Sequence, residues 1–277
     1  MNLVLSGSIY SLMKRIFEDR KEPLFGRANN KMELKAFTVV TLKEILEDYA
    51  PNYTNDDLLS FYILTGGVAK YVEIFVDAKA FTLEKQLDLI FDDYSLFLEE
   101  GKNLLIEEFG KEYTTYFSIL SLIASSKTSR SEMESILERN IGGYLEKLEL
   151  EYSIIKKIKP IFAKEGSRTV KYEIIDNFFN FWFRFIYKYR SAIELENYEY
   201  VKNIVKRDYE TYSGLFLERY FQEKLRLSYE YSAIGNYKVK RNPNKIDLHK
   251  VEQKALKSTS KYSKYTVEYR GFLLEDM

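Results

Sequence analysis

The side chains best placed to do chemistry are cations. Lys156, Lys157, Lys159, Lys164 and Arg168 cluster along one short β-rich stretch, and Lys127 and Arg130 sit in a turn upstream of it. Amines and guanidinium groups bunched on a ribbon tip can neutralise nucleic-acid phosphates. Such binding weakens steeply with salt, because it works by releasing counterions. The stretch just before the ribbon opposes this. Glu146, Glu149 and Glu151 stand there against a single Lys147. Carboxylates repel a phosphate-lined groove, and few Arg, Asn or Gln side chains are at hand to read base edges. Two readings stay open: weak contact of the ribbon with DNA, without sequence reading, and docking against a protein partner. The single histidine, His249, lies among Lys245, Asp247 and Lys250. With no orienting partner it reads as a solvated helix-face residue, not a general base.

The elements that must position these cations are legible. Phe117 to Ala124 is an apolar helix signal, and Ser125 to Ser129 a turn. Glu132 to Arg139 and Ile141 to Leu150 are two short helices. A strand follows at Ile154 to Ile158, is interrupted by Pro160, Gly166 and Ser167, and resumes at Val170 to Ile174. Three short helices and a two-stranded ribbon with a basic tip are the parts of a winged helix.

Composition bounds the rest. The chain has 277 residues, room for two compact domains and a further fragment. Hydrophobic residues are 45% and charged residues 30%, which implies a soluble globular protein rather than a disordered one. Lys+Arg and Asp+Glu are both 42, so no global charge recruits nucleic acid or anionic lipid. The chain has no cysteine, which excludes disulfides, thiolate metal sites and Cys nucleophiles, and fits a reducing cytoplasm. No signal peptide is legible at Met1 to Leu5, and no apolar run is long enough to span a bilayer, so no membrane partner is expected.

Along the chain, residues 2–8 read as a buried strand, yet nothing nearby supplies neighbouring strands; a missing upstream part would explain it. Ile9 to Phe17 reads as a helix, then Pro23-Leu24-Phe25-Gly26-Arg27 as a loop. Thr41 is read as the cap of a helix Leu42 to Tyr49, with Glu44 at the capping-box position. Asn55 or Thr54 starts the next helix, which Gly66-Gly67 breaks; Val68 to Val76 is another. Thr82 to Asp93 and Tyr94 to Glu108 follow as amphipathic helices. Asp176 to Arg190 reads as a buried aromatic helix around Trp182, and Tyr198 to Tyr231 as two helices broken near Ser213-Gly214. Beyond Gly235 the pattern is strand Tyr237 to Arg241, helix Asp247 to Ser258 and strand Tyr265 to Tyr269.

Several motifs, taken in order, resemble those of a prokaryotic family of AAA+-like ATPases common in archaea. Leu3-Val4-Leu5-Ser6-Gly7-Ser8 with Ser11-Leu12-Met13 looks like its sensor strand and following helix. Pro23-Leu24-Phe25-Gly26-Arg27 looks like its proline-leucine-aromatic-glycine-arginine loop. Thr65-Gly66-Gly67-Val68-Ala69-Lys70-Tyr71 is similar to its glycine-glycine lid motif, with Ala69 where the family often has proline. Tyr172 to Asp176 and Asn180 to Phe185 are similar to the segment closing its winged helix. The resemblance covers nearly the whole chain. It implies a mainly α protein: an ATPase-core remnant (1–32), a helical lid (33–110), a winged helix (111–176), a helical connector (177–234) and a shortened restriction-endonuclease-like α/β tail (235–277).

The resemblance also sets what is missing. No GxxxxGK[ST] element occurs, and no apolar strand ends in paired acids, so neither Walker A nor Walker B is present. ATP and Mg²⁺ serve complete family members, and no cofactor is expected on this chain alone. Ser6, Gly7, Ser8, Arg27, Gly66 and Gly67 are nucleotide-proximal only by resemblance. The nuclease pattern of two carboxylates and a lysine leaves Lys240 as a remnant, with Lys238 at the acidic position. A rival alignment uses Asp247, Glu252 and Lys254 as a metal-dependent nuclease site, but on a segment that reads as helix. The reading is a non-catalytic C-terminal portion of such an ATPase, acting as a winged-helix module. The alternatives are that nuclease and a winged-helix DNA-binding regulator.

Overall fold

A computed structural model describes residues 4, 5, 7, 10–159, 170–230, 234 and 271–277. It is mainly α-helical: α1 (Tyr10–Glu18), α2 (Val39–Tyr49), α3 (Asn55–Thr65), α4 (Ala69–Asp77), α5 (Leu83–Ile90) and α6 (Leu96–Phe109) come first. Then come α7 (Tyr113–Ala124), α8 (Arg130–Leu137), α9 (Gly142–Leu150), β1 (Ile155–Ile158) and β2 (Lys171–Ile174). Last are α10 (Asn177–Phe181), a π-helix (Trp182–Tyr187), α11 (Arg190–Glu194) and α12 (Tyr198–Ser228). Among the described residues the only sheet is the antiparallel pair β1–β2, in register Ile155 to Ile174 and Ile158 to Lys171. None of the described helices is long and apolar enough to cross a membrane.

Local chemistry explains most boundaries. Thr54 caps α3: its side chain accepts from Asp57 N, and Asp57 reaches back to the Thr54 N–H at 2.9 Å. Gly66 ends α3 in the left-handed conformation, φ 57°, which glycine adopts without steric cost. The cap of α2 is Thr38, not Thr41. Thr38 Oγ1 accepts from Thr41 N at 3.2 Å, so Thr41 lies inside the first turn. Burial of Val39 draws the helix start back past two β-branched residues that locally disfavour it.

Three further expectations fail, each for a physical reason. Val4 and Leu5 form no strand and are 89% and 52% exposed. The described residues offer them no strand to pair with. Tyr198 to Ser228 is one unbroken 31-residue helix. Gly214 is exposed, and burial of Ser213, Phe216, Arg219 and Tyr220 around it outweighs the roughly 1 kcal/mol a mid-helix glycine costs. The aromatic stretch after Asp176 is not a regular helix. It widens into the π-helix, and Trp182, Phe183, Phe185 and Ile186 are all buried. The wider turn lets a run of aromatics face several neighbours at once: Phe117 of α7 meets Trp182 at 6.0 Å and Phe183 at 5.3 Å, and Tyr212 of α12 meets Phe185 at 5.0 Å. Trp182 also donates Nε1–H to Leu98 O of α6 at 3.1 Å. This cluster is core, as its composition implied.

The unit α7–α8–α9–β1–β2 closes on itself. Tyr172 N donates to Thr128 O at 2.8 Å, tying the α7–α8 turn to the ribbon, and Ile154 N donates to Leu148 O at 2.9 Å. Met133, Ile141, Leu145, Leu148, Ile155 and Ile174 fill its interior.

Candidate functional site

The centre of the molecule is a buried polar knot built on α12. Arg219 is 8% exposed. Its Nε donates to Glu173 of β2, its Nη1 to Asn177 Oδ1 of α10 at 2.8 Å, and its Nη2 to Ile174 O at 2.7 Å. Its guanidinium carbon lies 5.1 Å from the centre of the Phe216 ring. A guanidinium is the one side chain that can hold a carboxylate, an amide and a carbonyl in one plane. Such a buried charge is tolerated because these partners replace the water it loses.

The knot extends in both directions. Asn177 Nδ2 donates to Tyr62 O of α3 at 3.4 Å, and Tyr62 donates its hydroxyl to Glu223 Oε2 of α12 at 3.3 Å. The other Glu223 oxygen accepts from Val39 N, the first residue of α2, at 3.1 Å, a favourable place for an anion. Outward, Glu173 Oε2 pairs with Lys156 Nζ of β1 at 3.4 Å. Two sets of polar contacts, joined by the length of the Tyr62 residue, thus run from the start of α2 to the surface of the ribbon.

Next to it lies Asp176, the cap of α10, which accepts from Phe179 N at 2.8 Å. Burial lifts its carboxyl to about 6, against the pull of the Phe179 and Phe178 amides and of Arg219. A Cβ on Gly66 would meet Asp176 Oδ1 at 3.2 Å and Phe178 N at 3.3 Å. The glycine pair and the segment closing the ribbon, over a hundred residues apart in sequence, are therefore in contact.

The residues singled out in the sequence fall into three groups. Ser6, Ser8, Lys164, Arg168, Lys240, Asp247, His249, Glu252 and Lys254 lie outside the described residues, as do the strands and helix expected over 237–269. Gly7, Arg27, Gly66 and Gly67 are described. Arg27 is exposed in a turn, its N–H donating to Leu24 O at 3.1 Å. Gly67 has φ 72°, its O accepts from Phe37 N at 2.7 Å, and a Cβ there would meet the Phe37 carbonyl. The nearest neighbours of the glycine pair are Asp176, Phe178, Ala36 and Phe37. Gly66 and Gly67 serve close backbone approach to the segment closing the ribbon and to Phe37.

The third group is the cations, and the structure gives most of them protein partners. Lys127 pairs with Glu132 at 3.0 Å, Arg130 with Glu134 at 2.8 Å, Lys156 with Glu173, and Lys157 with Glu149. Arg130 also helps to build the start of α9. Its Nη2 donates to Asn140 Oδ1 at 3.4 Å, while its partners Glu134 and Asn140 accept from Ile141 N and Gly142 N. The Glu149 carboxylate holds the Lys157 ammonium above the usual lysine range. Lys159 is exposed at the end of β1. On α9, Glu146 and Lys147 are exposed, Glu149 is half-buried, and Glu151 is exposed just beyond. Among the described residues no three of His, Asp and Glu come together to hold a metal.

Of the knot's members, Arg219, Asn177 and Glu223 are not among the residues that sequence reasoning singles out. A signal for it exists: Glu173, Asp176, Asn177 and Asn180 stand in a run that is otherwise apolar, and polar groups in a buried run must find partners.

Fold and site together define a mainly α-helical protein in which a three-helix unit with a two-stranded ribbon is clamped to a long helix. Residues 182–269 match the DUF234 family of archaeal and bacterial proteins of unknown function. Over 245 residues the chain is 27% identical to the uncharacterized protein MJECL04 of Methanocaldococcus jannaschii, a match covering 85% of this chain and 53% of that protein. The chain thus spans about half the length of the curated relative it matches. No solved structure matches it.

Proposed function

We propose that the chain is the non-catalytic C-terminal portion of an AAA+-like ATPase, and works as a winged-helix docking module. Its main partner is protein, and DNA is touched weakly and without sequence reading. The observation that carries this is the pairing of Lys127, Arg130, Lys156 and Lys157 with carboxylates, beside an α9 whose exposed charges, Glu146 and Lys147, offset each other. Cations already neutralised by protein release few counterions from DNA. The knot on Arg219 supports the transmitting part of the reading, because its polar contacts tie the ribbon to α12 and α3, and Tyr62 and Glu223 carry on to α2.

Titration of unrelated duplex DNAs across a salt series tests it. Each phosphate contact adds about 0.9 to the slope of log K against log salt. The expected slope is shallow, on the order of two or three contacts, and alike for all duplexes. One duplex bound on the order of a thousandfold tighter than the others would make the chain a sequence-specific DNA-binding regulator instead.

A further inference from the structure

Residues 271–277 lie against the body of the molecule. Phe272 stacks on Phe221 of α12, ring centres 4.4 Å apart and planes 11° from parallel. Met277 is buried in the common core, and Leu274 packs against it. Two polar contacts from the body fix the backbone: Asn55 Nδ2 donates to Leu274 O at 3.0 Å, and Lys224 Nζ to Asp276 O at 3.2 Å. The segment also holds its own shape, a turn of 3-10 helix (Leu274–Asp276) in which Leu273 N donates to Asp276 Oδ2 at 2.7 Å.

These features are those of a bound linear peptide. The segment brings its own turn, inserts apolar side chains at positions 272, 274 and 277, and leaves Leu273, Glu275 and Asp276 exposed. The body supplies an aromatic face, a side-chain amide and an ammonium, the last two aimed at carbonyl oxygens. That recognises a backbone conformation more than a fixed sequence. Phe221 lies two turns before the end of α12, so the chain leaves that helix at Ser228 and comes back about 10 Å away along its axis. The exit from α12 and the return at Phe272 are thus held on one helix.

We infer that the groove between the start of α3 and the last turns of α12 is a peptide-docking site, filled in cis by residues 271–277 as an exchangeable strap. Being part of the same chain, the strap is always at hand, and a free copy must outcompete it. A free copy of the segment therefore binds only after the resident one is displaced. The inference stands independently of any nucleotide or DNA role.

The test uses the full chain carrying Phe272→Asp and Met277→Asp, which empties the groove, and a fluorescent peptide of residues 271–277 capped at both ends. The peptide is expected to bind the variant saturably and the unaltered chain at least about tenfold more weakly. Adding Asn55→Ala is expected to weaken binding to the emptied chain. Equal binding to both chains, or binding to neither, overturns the inference. So does loss of the helical circular-dichroism signal in the variant at 25 °C, which would make the segment an obligatory part of the core.

Discussion

The Arg219 guanidinium and the Glu173 carboxylate meet in the interior, one from the last third of a 31-residue helix and the other from a two-stranded ribbon. Glu173 is also the partner of Lys156 on the ribbon surface. One carboxylate therefore links an ammonium on the ribbon surface to a guanidinium of α12.

Truncating that contact leaves a buried carboxylate, an amide and a carbonyl without their donor. Arg219→Ala is expected to cost about 3–5 kcal/mol, a large part of the stability of a protein of this kind. Arg219→Lys is expected to recover little, because an ammonium cannot span Glu173, Asn177 and Ile174 O together. Urea titrations followed by circular dichroism give the energies. Hydrogen exchange is expected to rise in residues 171–177 before it rises in α7. A wild-type midpoint for the lysine variant would contradict the role given to the fork.

Asp176 sets a pH dependence of definite sign. Its carboxyl is raised from 3.8 to about 6 by burial, so the folded state holds the proton more tightly than the unfolded state does. The favourable contribution is complete below pH 3.8, falls as pH rises through 3.8 to 6, and is gone above 6. Asp176→Asn keeps an oxygen to accept from Phe179 N and removes the titration. The variant is expected to lose the downward component of stability between about pH 4 and 6, seen by urea titration at several pH values. Parallel stability profiles for the two proteins would mean that the carboxyl is not raised.

Gly101 lies against the only tryptophan. A Cβ there would come within 2.8 Å of Trp182 Cε2, a ring held by its Nε1–H bond to Leu98 O. Gly101→Ala is expected to destabilise by about 1–3 kcal/mol, since an overpacked core must move its ring. Indole emission reads the displacement directly, and an unchanged spectrum with unchanged stability would show that α6 can shift to make room.

Much of the fold is legible in the sequence, and the exceptions share a cause. The α3 start at Thr54, the break at Gly66 and the three helices and ribbon are local matters, set by caps, glycine and side-chain period. Thr38 rather than Thr41 is the cap of α2 because Val39 is buried and its N–H is met by Glu223, which is 184 residues away. The unbroken α12 likewise depends on what packs around Gly214. Arg219 can be counted in the sequence but not placed, because nothing local distinguishes a buried arginine from an exposed one. The ribbon and turn cations are visible as a cluster, and Arg130 with Glu134 is a local pair one helical turn apart, but the partners at 149 and 173 come from other elements and are fixed only by the folded geometry.

That pairing makes a prediction of its own. Glu132→Gln and Glu149→Gln release Lys127 and Lys157 without altering either cation. Together they are expected to raise affinity for any duplex on the order of a few-fold and to steepen the salt dependence, since each exposed pair is worth about 0.2–1 kcal/mol. An unchanged isotherm would indicate that these lysines do not face DNA at all.

The most direct measurement is phosphate release by the purified 277-residue chain incubated with ATP and Mg²⁺. A chain without a lysine-bearing glycine loop is expected to leave ATP at the protein-free rate. Turnover above the blank, or tight Mg²⁺-dependent capture of the nucleotide, would contradict a non-catalytic role.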